Sequence, residues 1–121
     1  MDVKYSPLEL GKKGEKIAAQ FLQSCGYKII ECNARNCFGE IDIIAQEGKT
    51  ICFIEVKTRR SSRCGAPAES VTARKRTQIA RSALAYLKSH NLLSNPARFD
   101  VVQVTDAVSV IRNAFESPIL F

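Results

Sequence analysis

Two neighbouring segments near the middle of the chain have the alternating apolar and polar pattern of paired β-strands. Residues 51–57 are rich in β-branched and aromatic side chains and end in charged ones, and residues 40–45 alternate in a similar way. Both faces of the first segment are apolar over most of its length, which predicts a strand covered on both sides. Because alternate side chains share a face, Glu55 and Lys57 would lie together. The residues between the two segments are typical of a hairpin turn, which would bring Asp42 to the same place.

Two amphipathic segments predict helices, one before this hairpin and one after it. The first helix covers about residues 7–24, with Ser6 as its N-cap. The second begins after Thr72, another favourable N-cap, and ends near Leu87 or Ser89. Both helices carry an apolar stripe that is wide enough to pack against a sheet.

Three further segments, at residues 27–33, 99–104 and 108–112, alternate like strands. Turn-forming residues predict a turn over residues 33–39 and a loop over residues 58–71. The predicted element order is therefore α-β-β-β-α-β-β. This order is typical of an α/β fold with a mixed central sheet and helices on its faces.

Glu15 is the one charge on the core side of the first predicted helix. It lies seven residues after Leu8 and seven before Leu22, so it projects beside apolar positions near the rim of the buried arc. A carboxylate there should be paired, neutralised or functional, because an isolated buried charge is unfavourable. A side chain at the rim also reaches solvent, and the helix pattern alone leaves both interpretations open.

The composition is that of an ordinary globular protein in a reducing compartment. Apolar residues make up 45% and charged residues 25% of the 121-residue chain, and residues 1–121 are expected to form one domain. No apolar run is long enough to span a bilayer, and the first residues lack the apolar core of a secretory signal. A cytoplasmic location without a membrane partner is therefore expected. The five cysteines are odd in number and form no C-x-x-C pair, which favours reduced thiols.

Positive charge is concentrated in one part of the chain. The net charge is +6, and residues 57–81 alone carry +7 while the remainder carries −1. Arg74, Lys75 and Arg76 occupy the first turn of the second helix, where cations oppose the helix dipole. A bound phosphate would explain that placement. A solvated basic face is the common alternative, but a block this concentrated beside clustered carboxylates favours a nucleic-acid partner.

A motif with Asp42 on one strand and Glu55-Val56-Lys57 on the next, after a helix that carries Glu15, resembles the active-site pattern of the PD-(D/E)xK nuclease superfamily. The usual Pro-Asp pair of that pattern is here Ile41-Asp42. A closer resemblance, over roughly residues 10–104, is to the YraN-like family of bacterial proteins, and archaeal Holliday-junction resolvases resemble the chain more distantly. This resemblance implies a restriction-endonuclease-like fold. The fragments that carry it are Gly14-Glu15, Asn33-Ala34-Arg35, Gly39-Glu40-Ile41-Asp42, Phe53-Ile54-Glu55-Val56-Lys57-Thr58-Arg59, Lys75 and Arg98-Phe99-Asp100.

Hydrolysis of a phosphodiester requires an activated water and neutralisation of the phosphate oxygens. One or two Mg²⁺ or Mn²⁺ ions supply both, and Mg²⁺ prefers a few carboxylates plus waters and phosphate oxygens. Asp42 and Glu55 are the candidate ligands, with the Val56 carbonyl as a further one. Lys57 is the candidate for holding the attacking water or stabilising the transition state. The resemblance implies that Glu15 completes the metal shell.

Two classes of function fit these residues. The first is a metal-dependent endonuclease that acts on DNA, and the resolvase resemblance implies branched DNA as its substrate. The second is a nucleic-acid-binding module with a nuclease-like fold and no activity of its own, in which Glu55 and Lys57 form an ordinary ion pair at a strand end. Glu40 shares a face with Asp42 and either ligates the metal or forms a structural ion pair, and a homodimer fits both classes. The cations expected to contact nucleic acid are Arg35, Arg59, Arg60, Arg63, Arg74, Lys75 and Arg76.

Overall fold

The computed structural model describes residues 7–59 and 71–119 of the chain. Its helices and strands follow the predicted order, so the α-β-β-β-α-β-β arrangement is confirmed. Within these residues, neither helix is long and apolar enough to cross a membrane. The elements are α1 (Pro7–Ser24), β1 (Lys28–Asn36), β2 (Gly39–Glu47), β3 (Thr50–Thr58), α2 (Ala73–Ser89), β4 (Ala97–Val104) and β5 (Val108–Phe115).

The five strands form one mixed sheet in the order β1-β2-β3-β4-β5. β1, β2 and β3 pair antiparallel through two hairpins, and β4 and β5 also pair antiparallel. β3 and β4 pair in parallel, which requires a crossover connection, and α2 lies within that connection. β3 is therefore the central strand, as its apolar residues predict.

The two helices cover opposite faces of the sheet. Leu22 of α1 packs in one apolar cluster with Ile54 of β3, whereas Leu87 of α2 packs in a second cluster with Phe53. Phe53 and Ile54 are consecutive residues of a strand, so their side chains point to opposite faces. Burial on both faces accounts for the apolar run in β3 and leaves its charged residues for the carboxyl end.

The predicted turn over residues 33–39 contains the observed turn but is too long. β1 continues to Asn36, which stands opposite Gly39 in the β1–β2 ladder, so the chain reverses within the two residues between them. Asn36 itself supplies the turn chemistry, because its Oδ1 accepts a hydrogen bond from Phe38 N at 3.0 Å. The first residue of the predicted loop over residues 58–71 belongs to β3. Most of the remaining loop lies outside the described residues.

Close contact between α1 and β3 sets the position of Glu15. Gly14 is buried, and a Cβ at this position would collide with the side chain of Thr58. The missing side chain therefore lets the helix backbone lie directly on the carboxyl end of β3. Glu15, the next residue of the helix, is half-buried, in agreement with its predicted place at the rim of the apolar arc.

The opposite end of the sheet holds a closed network of polar side chains. Asp100 is completely buried and accepts hydrogen bonds from Tyr27 Oη at 2.8 Å and Arg98 Nε at 3.0 Å. Arg98 also donates to Glu47 at 2.6 Å, and Arg112 donates to both Glu47 oxygens at 3.0 and 2.9 Å. Hydrogen bonds from Arg112 and Arg98 lower the pKa of Glu47 to about 2. Each charge of this network is paired, so the network stabilises the fold.

Candidate active site

Asp42 lies directly beyond the end of the β2–β3 ladder. The last paired residues of the two strands are Ile43 and Ile54. Beyond this pair, the backbone N–H of Val56 donates a hydrogen bond to Oδ2 of Asp42 at 2.8 Å. A side chain thus continues the connection between the strands after their backbones separate, and the Asp42 carboxylate is fixed against the end of β3.

Glu55 and Lys57 lie at the same end of β3. Glu55 is buried, with 8% of its surface exposed, and the Lys57 ammonium lies 3.6 Å from its Oε1. The two residues line an open cleft of about 440 Å³ together with Glu15, Asp42 and Val56. The structure therefore brings together the residues that the sequence predicts as catalytic or metal-binding.

Asp42 and Glu55 lie too close together, and too far from water, for both to ionise freely. Burial raises the pKa of Glu55 to about 7, and the neighbouring Asp42 charge adds to this rise. Burial also raises the pKa of Asp42, although the hydrogen bond from Val56 N–H opposes the rise. Because each carboxylate disfavours the ionised form of the other, the rise in pKa belongs to the pair. The pair is a site of unfavourable negative charge that a bound cation would relieve.

Lys75 of α2 interacts electrostatically with the same two carboxylates. Its positive charge lowers the pKa of both Asp42 and Glu55, and its effect on Glu55 exceeds that of Lys57. Lys75 is half-buried, and its backbone N–H donates to the N-cap Thr72 at 3.2 Å. The sequence predicts Lys75 only as a nucleic-acid contact, because its proximity to β3 results from the α2 crossover and not from any local pattern.

Asn33 connects Glu15 to the β1–β2 hairpin. With its amide nitrogen oriented toward the carboxylates, Asn33 donates to Glu40 Oε1 at 2.8 Å and to Glu15 Oε1 at 3.2 Å. Arg35 pairs with the other oxygen of Glu40 at 3.2 Å, so the ion-pair interpretation of Glu40 describes what the structure shows. Asn33 has a left-handed backbone conformation, φ 54°, within β1. Its role is not signalled by the sequence beyond its presence in a family fragment.

Glu15 lines the cleft from the α1 side. Burial raises the pKa of its carboxyl group, and the negative charges of Asp42 and Glu40 raise it further. The hydrogen bond from Asn33 holds this carboxyl group in place. The charge of Asp42 on β2 therefore affects the Glu15 carboxyl group, whereas the hydrogen bond of Glu15 is to Asn33 on β1.

Gln103 is a further polar residue beside the cleft that the sequence does not indicate. It is the register partner of Lys57 in the parallel β3–β4 pair. Its side chain is buried, and its Oε1 makes no hydrogen bond to the described residues. Register partners in a parallel pair have their side chains on the same face of the sheet, so Gln103 belongs to the polar surroundings of Lys57.

The cations predicted to contact nucleic acid differ in exposure, and among those that the structure describes only Arg35 and Arg74 are exposed. Arg74 is exposed on α2, and the Arg35 side chain is 79% exposed although it pairs with Glu40. Arg59 is half-buried directly after β3. Arg60 and Arg63 lie outside the described residues, and their role stays a prediction.

Arg76 differs from its neighbours on α2. Its Nε donates to the Val71 carbonyl at 2.9 Å, and its guanidinium lies over the Phe115 ring at 5.3 Å from the centroid. The side chain therefore connects the start of α2 to β5. This structural contact accounts for Arg76 without a nucleic acid, so its predicted DNA contact is untested.

The donor set of the cleft fits a magnesium ion better than a fully protein-coordinated metal. Among residues 7–59 and 71–119, no three His, Cys, Asp or Glu side chains are close enough to form a ready-made metal centre. Asp42 and Glu55 form a two-carboxylate site, with Glu15 held to one side by Asn33. Mg²⁺ takes one or two carboxylates from a protein and keeps several waters, so this set suits it.

Comparisons with known proteins identify the family and the fold. Residues 14–104 match the model of Uncharacterised protein family UPF0102. A UPF0102 protein of Geotalea uraniireducens is 48% identical over 113 residues, which cover 88% of this chain and 89% of that protein. A second, from Syntrophus aciditrophicus, is 46% identical over 114 residues, 90% of each chain.

The solved structure of Hjc from Archaeoglobus fulgidus, a Holliday junction resolvase, is similar to this chain at a TM-score of 0.50 and 19% sequence identity. The similarity covers 84% of this chain and 76% of Hjc. It confirms the predicted restriction-endonuclease-like fold. The family model and the relatives together establish that this chain belongs to the UPF0102 family, the YraN-like family predicted from its sequence.

Proposed function

We propose that this protein is an endonuclease that uses a divalent metal to hydrolyse phosphodiester bonds in DNA. The observation that carries the proposal is the convergence of Asp42, Glu55 and Lys57 in one cleft where the β2–β3 ladder ends. A cation-binding acidic pair beside an ammonium group has the charge arrangement that this reaction requires. Lys75, which acts on the same carboxylates, adds positive charge at the cleft.

Each residue of the cleft has a separate role in this proposal. A bound Mg²⁺ or Mn²⁺ would polarise the phosphate and lower the pKa of a water molecule. Asp42 would hold the cation with the carboxylate that Val56 N–H keeps in place, and Glu55 would supply the second carboxylate. The Val56 carbonyl and Glu15 are the further donors at the rim. Lys57 holds the attacking water or stabilises the charge that develops on the phosphate.

DNA is the partner that the fold and the charges favour. Hjc, which shares the fold, is a Holliday junction resolvase, so branched DNA is the substrate class to test first. The start of α2 contributes positive charge from Arg74, which is exposed, and from Lys75, which is half-buried. Phosphate contacts of this kind supply affinity that does not depend on sequence.

A cleavage assay tests the proposal. The purified protein would be incubated with a four-way junction, a flap and a linear duplex, each in Mg²⁺, in Mn²⁺ and in EDTA. We expect cleavage with either metal, none in EDTA, and a loss of about a hundredfold or more in Asp42→Asn, Glu55→Gln and Lys57→Met. Glu31→Gln, which neutralises an exposed carboxylate of β1, is the control and should cleave like the wild type.

The second function class, a binding module with a nuclease-like fold, predicts a different result from the same proteins. Wild-type protein would then bind DNA but cleave none of the substrates in either metal. Affinity would be the same in Asp42→Asn, Glu55→Gln and wild type, with and without metal. That result would replace the nuclease proposal, whereas metal-dependent cleavage that fails only in the cleft variants would support it.

A further inference from the structure

The β1–β2 turn holds an aromatic side chain in solvent. Phe38 is 47% exposed. The turn is anchored to α2, because Asn36 Nδ2 donates to the Ser82 carbonyl at 3.0 Å while Asn36 Oδ1 accepts from Phe38 N at 3.0 Å. Gly39, the next residue, lies so close to Gln78 that a Cβ there would collide with the Gln78 amide. A turn that is anchored to α2 therefore holds the Phe38 side chain in solvent.

The surface of α2 beside Phe38 is cationic. Arg74, Arg81 and Lys88 are exposed and recur every seven residues, which places them on one stripe of the helix. The stripe is about 21 Å long at the rise of an α-helix. Arg81 and Lys88 line a shallow groove of about 170 Å³ with Phe38, and the other two lining residues are apolar. The groove therefore combines an aromatic face with positive charge.

The cationic stripe leads to the candidate active site. Arg74, at its beginning, precedes Lys75, whose charge acts on Asp42 and Glu55. Phe38 lies four residues before Asp42 along the chain, about 13 Å at the rise of a strand. A single strand of nucleic acid that follows the stripe would reach both the groove and the cleft.

We propose that the groove formed by Phe38, Arg81 and Lys88 binds an unpaired nucleotide of the DNA substrate. The base stacks on the Phe38 ring, and the two cations contact the adjacent phosphates. Bases in the interior of a duplex are stacked on both faces, so the groove selects DNA with a single-stranded arm or an unpaired base near the cleft. The inference rests on the proposed nuclease function, because it specifies the substrate of that site.

Fluorescence anisotropy in EDTA tests the groove without any requirement for cleavage. The probes are a blunt DNA duplex and the same duplex with a short single-stranded overhang. We expect the wild type to prefer the overhang. Phe38→Ala should lose about tenfold in affinity for the overhang probe and keep its affinity for the blunt duplex. Phe38→Trp should retain the preference, because the indole ring also offers a stacking face.

Leu93→Ala is the matched control. Leu93 is also an exposed apolar residue, at 55%, but it lies after α2 and does not line the groove. Its removal should leave the preference for the overhang unchanged. Arg81→Glu and Lys88→Glu should weaken binding to both probes, most strongly at low salt.

Two results would overturn the stacking role of Phe38. The first is a Phe38→Ala variant with wild-type affinity for the overhang, and the second is an equal loss of affinity for both probes. A change of sedimentation in Phe38→Ala with an unaltered overhang preference would assign the side chain to contact between protein copies instead. In each of these cases, metal-dependent cleavage by the wild type would still support the proposed nuclease, so the two proposals fail separately.

Discussion

The backbone N–H of Val56 donates a hydrogen bond to Oδ2 of Asp42 at the point where β2 and β3 cease to pair. This bond distinguishes two substitutions of Asp42 that remove the same charge. In Asp42→Asn, the amide oxygen still accepts from Val56 and the repulsion with Glu55 disappears. In Asp42→Ala, the Val56 N–H loses its partner, which lowers the free energy of unfolding by about 1–3 kcal/mol.

Thermal unfolding in EDTA checks this expectation. Asp42→Asn should melt at or above the wild-type temperature, and Asp42→Ala should melt below it. Both variants should lose the increase in Tm that Mn²⁺ gives the wild type, because both lack the carboxylate. Asn and Ala variants that melt at the same reduced temperature would contradict the role of the Val56 hydrogen bond.

Glu15→Gln should raise the melting temperature of the metal-free protein and weaken Mn²⁺ binding. Burial and the charges of Asp42 and Glu40 raise the pKa of Glu15, so a neutral amide removes a repulsion. The amide oxygen is still able to accept the hydrogen bond from Asn33. We expect a small gain in the free energy of unfolding in EDTA, because solvent screens the repulsion at this partly exposed site. Glu31→Gln is again the control. A Glu15→Gln variant that melts earlier than the wild type in EDTA, with an unaltered increase in Tm on addition of Mn²⁺, would show that Glu15 has only a structural role.

Substitutions of Asn33 separate its backbone from its amide. Asn33→Gly adopts the left-handed conformation readily and donates nothing, so the fold should remain while Glu15 loses its anchor. Asn33→Asp places a third carboxylate between Glu15 and Glu40, which should lower the free energy of unfolding by about 0.5–1 kcal/mol at neutral pH, because Asn33 is exposed and solvent screens the repulsion. Calorimetric titration with Mn²⁺ should show weaker binding in both. Equal melting temperatures for the two variants would argue against the bridging amide.

Charge reversal at the start of α2 should have two different effects. Arg74→Glu and Lys75→Glu should weaken binding to all DNA sequences alike and reduce its salt dependence, because phosphate contacts carry no base information. Arg76→Glu should instead lower the melting temperature, because the Arg76 side chain holds Val71 and Phe115. Salt titrations of DNA affinity and thermal melts measure the two effects. Unchanged DNA affinity in the first two variants would mean that the cations form only a solvated face.

Glu47→Gln should destabilise the protein at pH 6 and progressively less as the pH falls. Hydrogen bonds from Arg112 and Arg98 lower the pKa of Glu47 from its ordinary value of 4.5 to about 2. The stability that this carboxylate contributes is therefore fully present above pH 4.5 and is lost as the pH falls toward 2. Screening by solvent at this partly exposed site limits the contribution to about 1–2 kcal/mol. Urea unfolding of both proteins across this range measures it, and a constant difference would exclude the titration of Glu47 as the cause.

The convergence of Asp42, Glu55 and Lys57 was predictable because it depends on local properties. Strand parity and a short hairpin are sufficient to bring these side chains to one end of β3. The proximity of Lys75 depends on the path of the crossover between β3 and β4, which no local pattern encodes.

Asn33 shows a second limit of sequence-based prediction. An asparagine in a polar segment is typical of a turn, and the residue does have the left-handed backbone of one. The β1–β2 ladder nevertheless continues past it to Asn36, because pairing with β2 outweighs the local irregularity. The predicted turn was therefore too long, because it began at Asn33 and not after Asn36. The contact between Asn33 and Glu15 depended on a side-chain direction that strand alternation does not give.

The paired network around Asp100 and the crowded carboxylates of the cleft would respond in opposite ways to mutational drift. Loss of a member of the network removes hydrogen bonds from a buried carboxylate, so most such changes would be eliminated in any lineage that needs a folded protein. Neutralisation of Glu15 or Glu55 relieves repulsion, so a lineage without selection for activity would lose these charges early. The proposed function therefore predicts that Glu15, Glu55 and Asp42 are kept together in active relatives, although their joint charge lowers the stability of the metal-free fold.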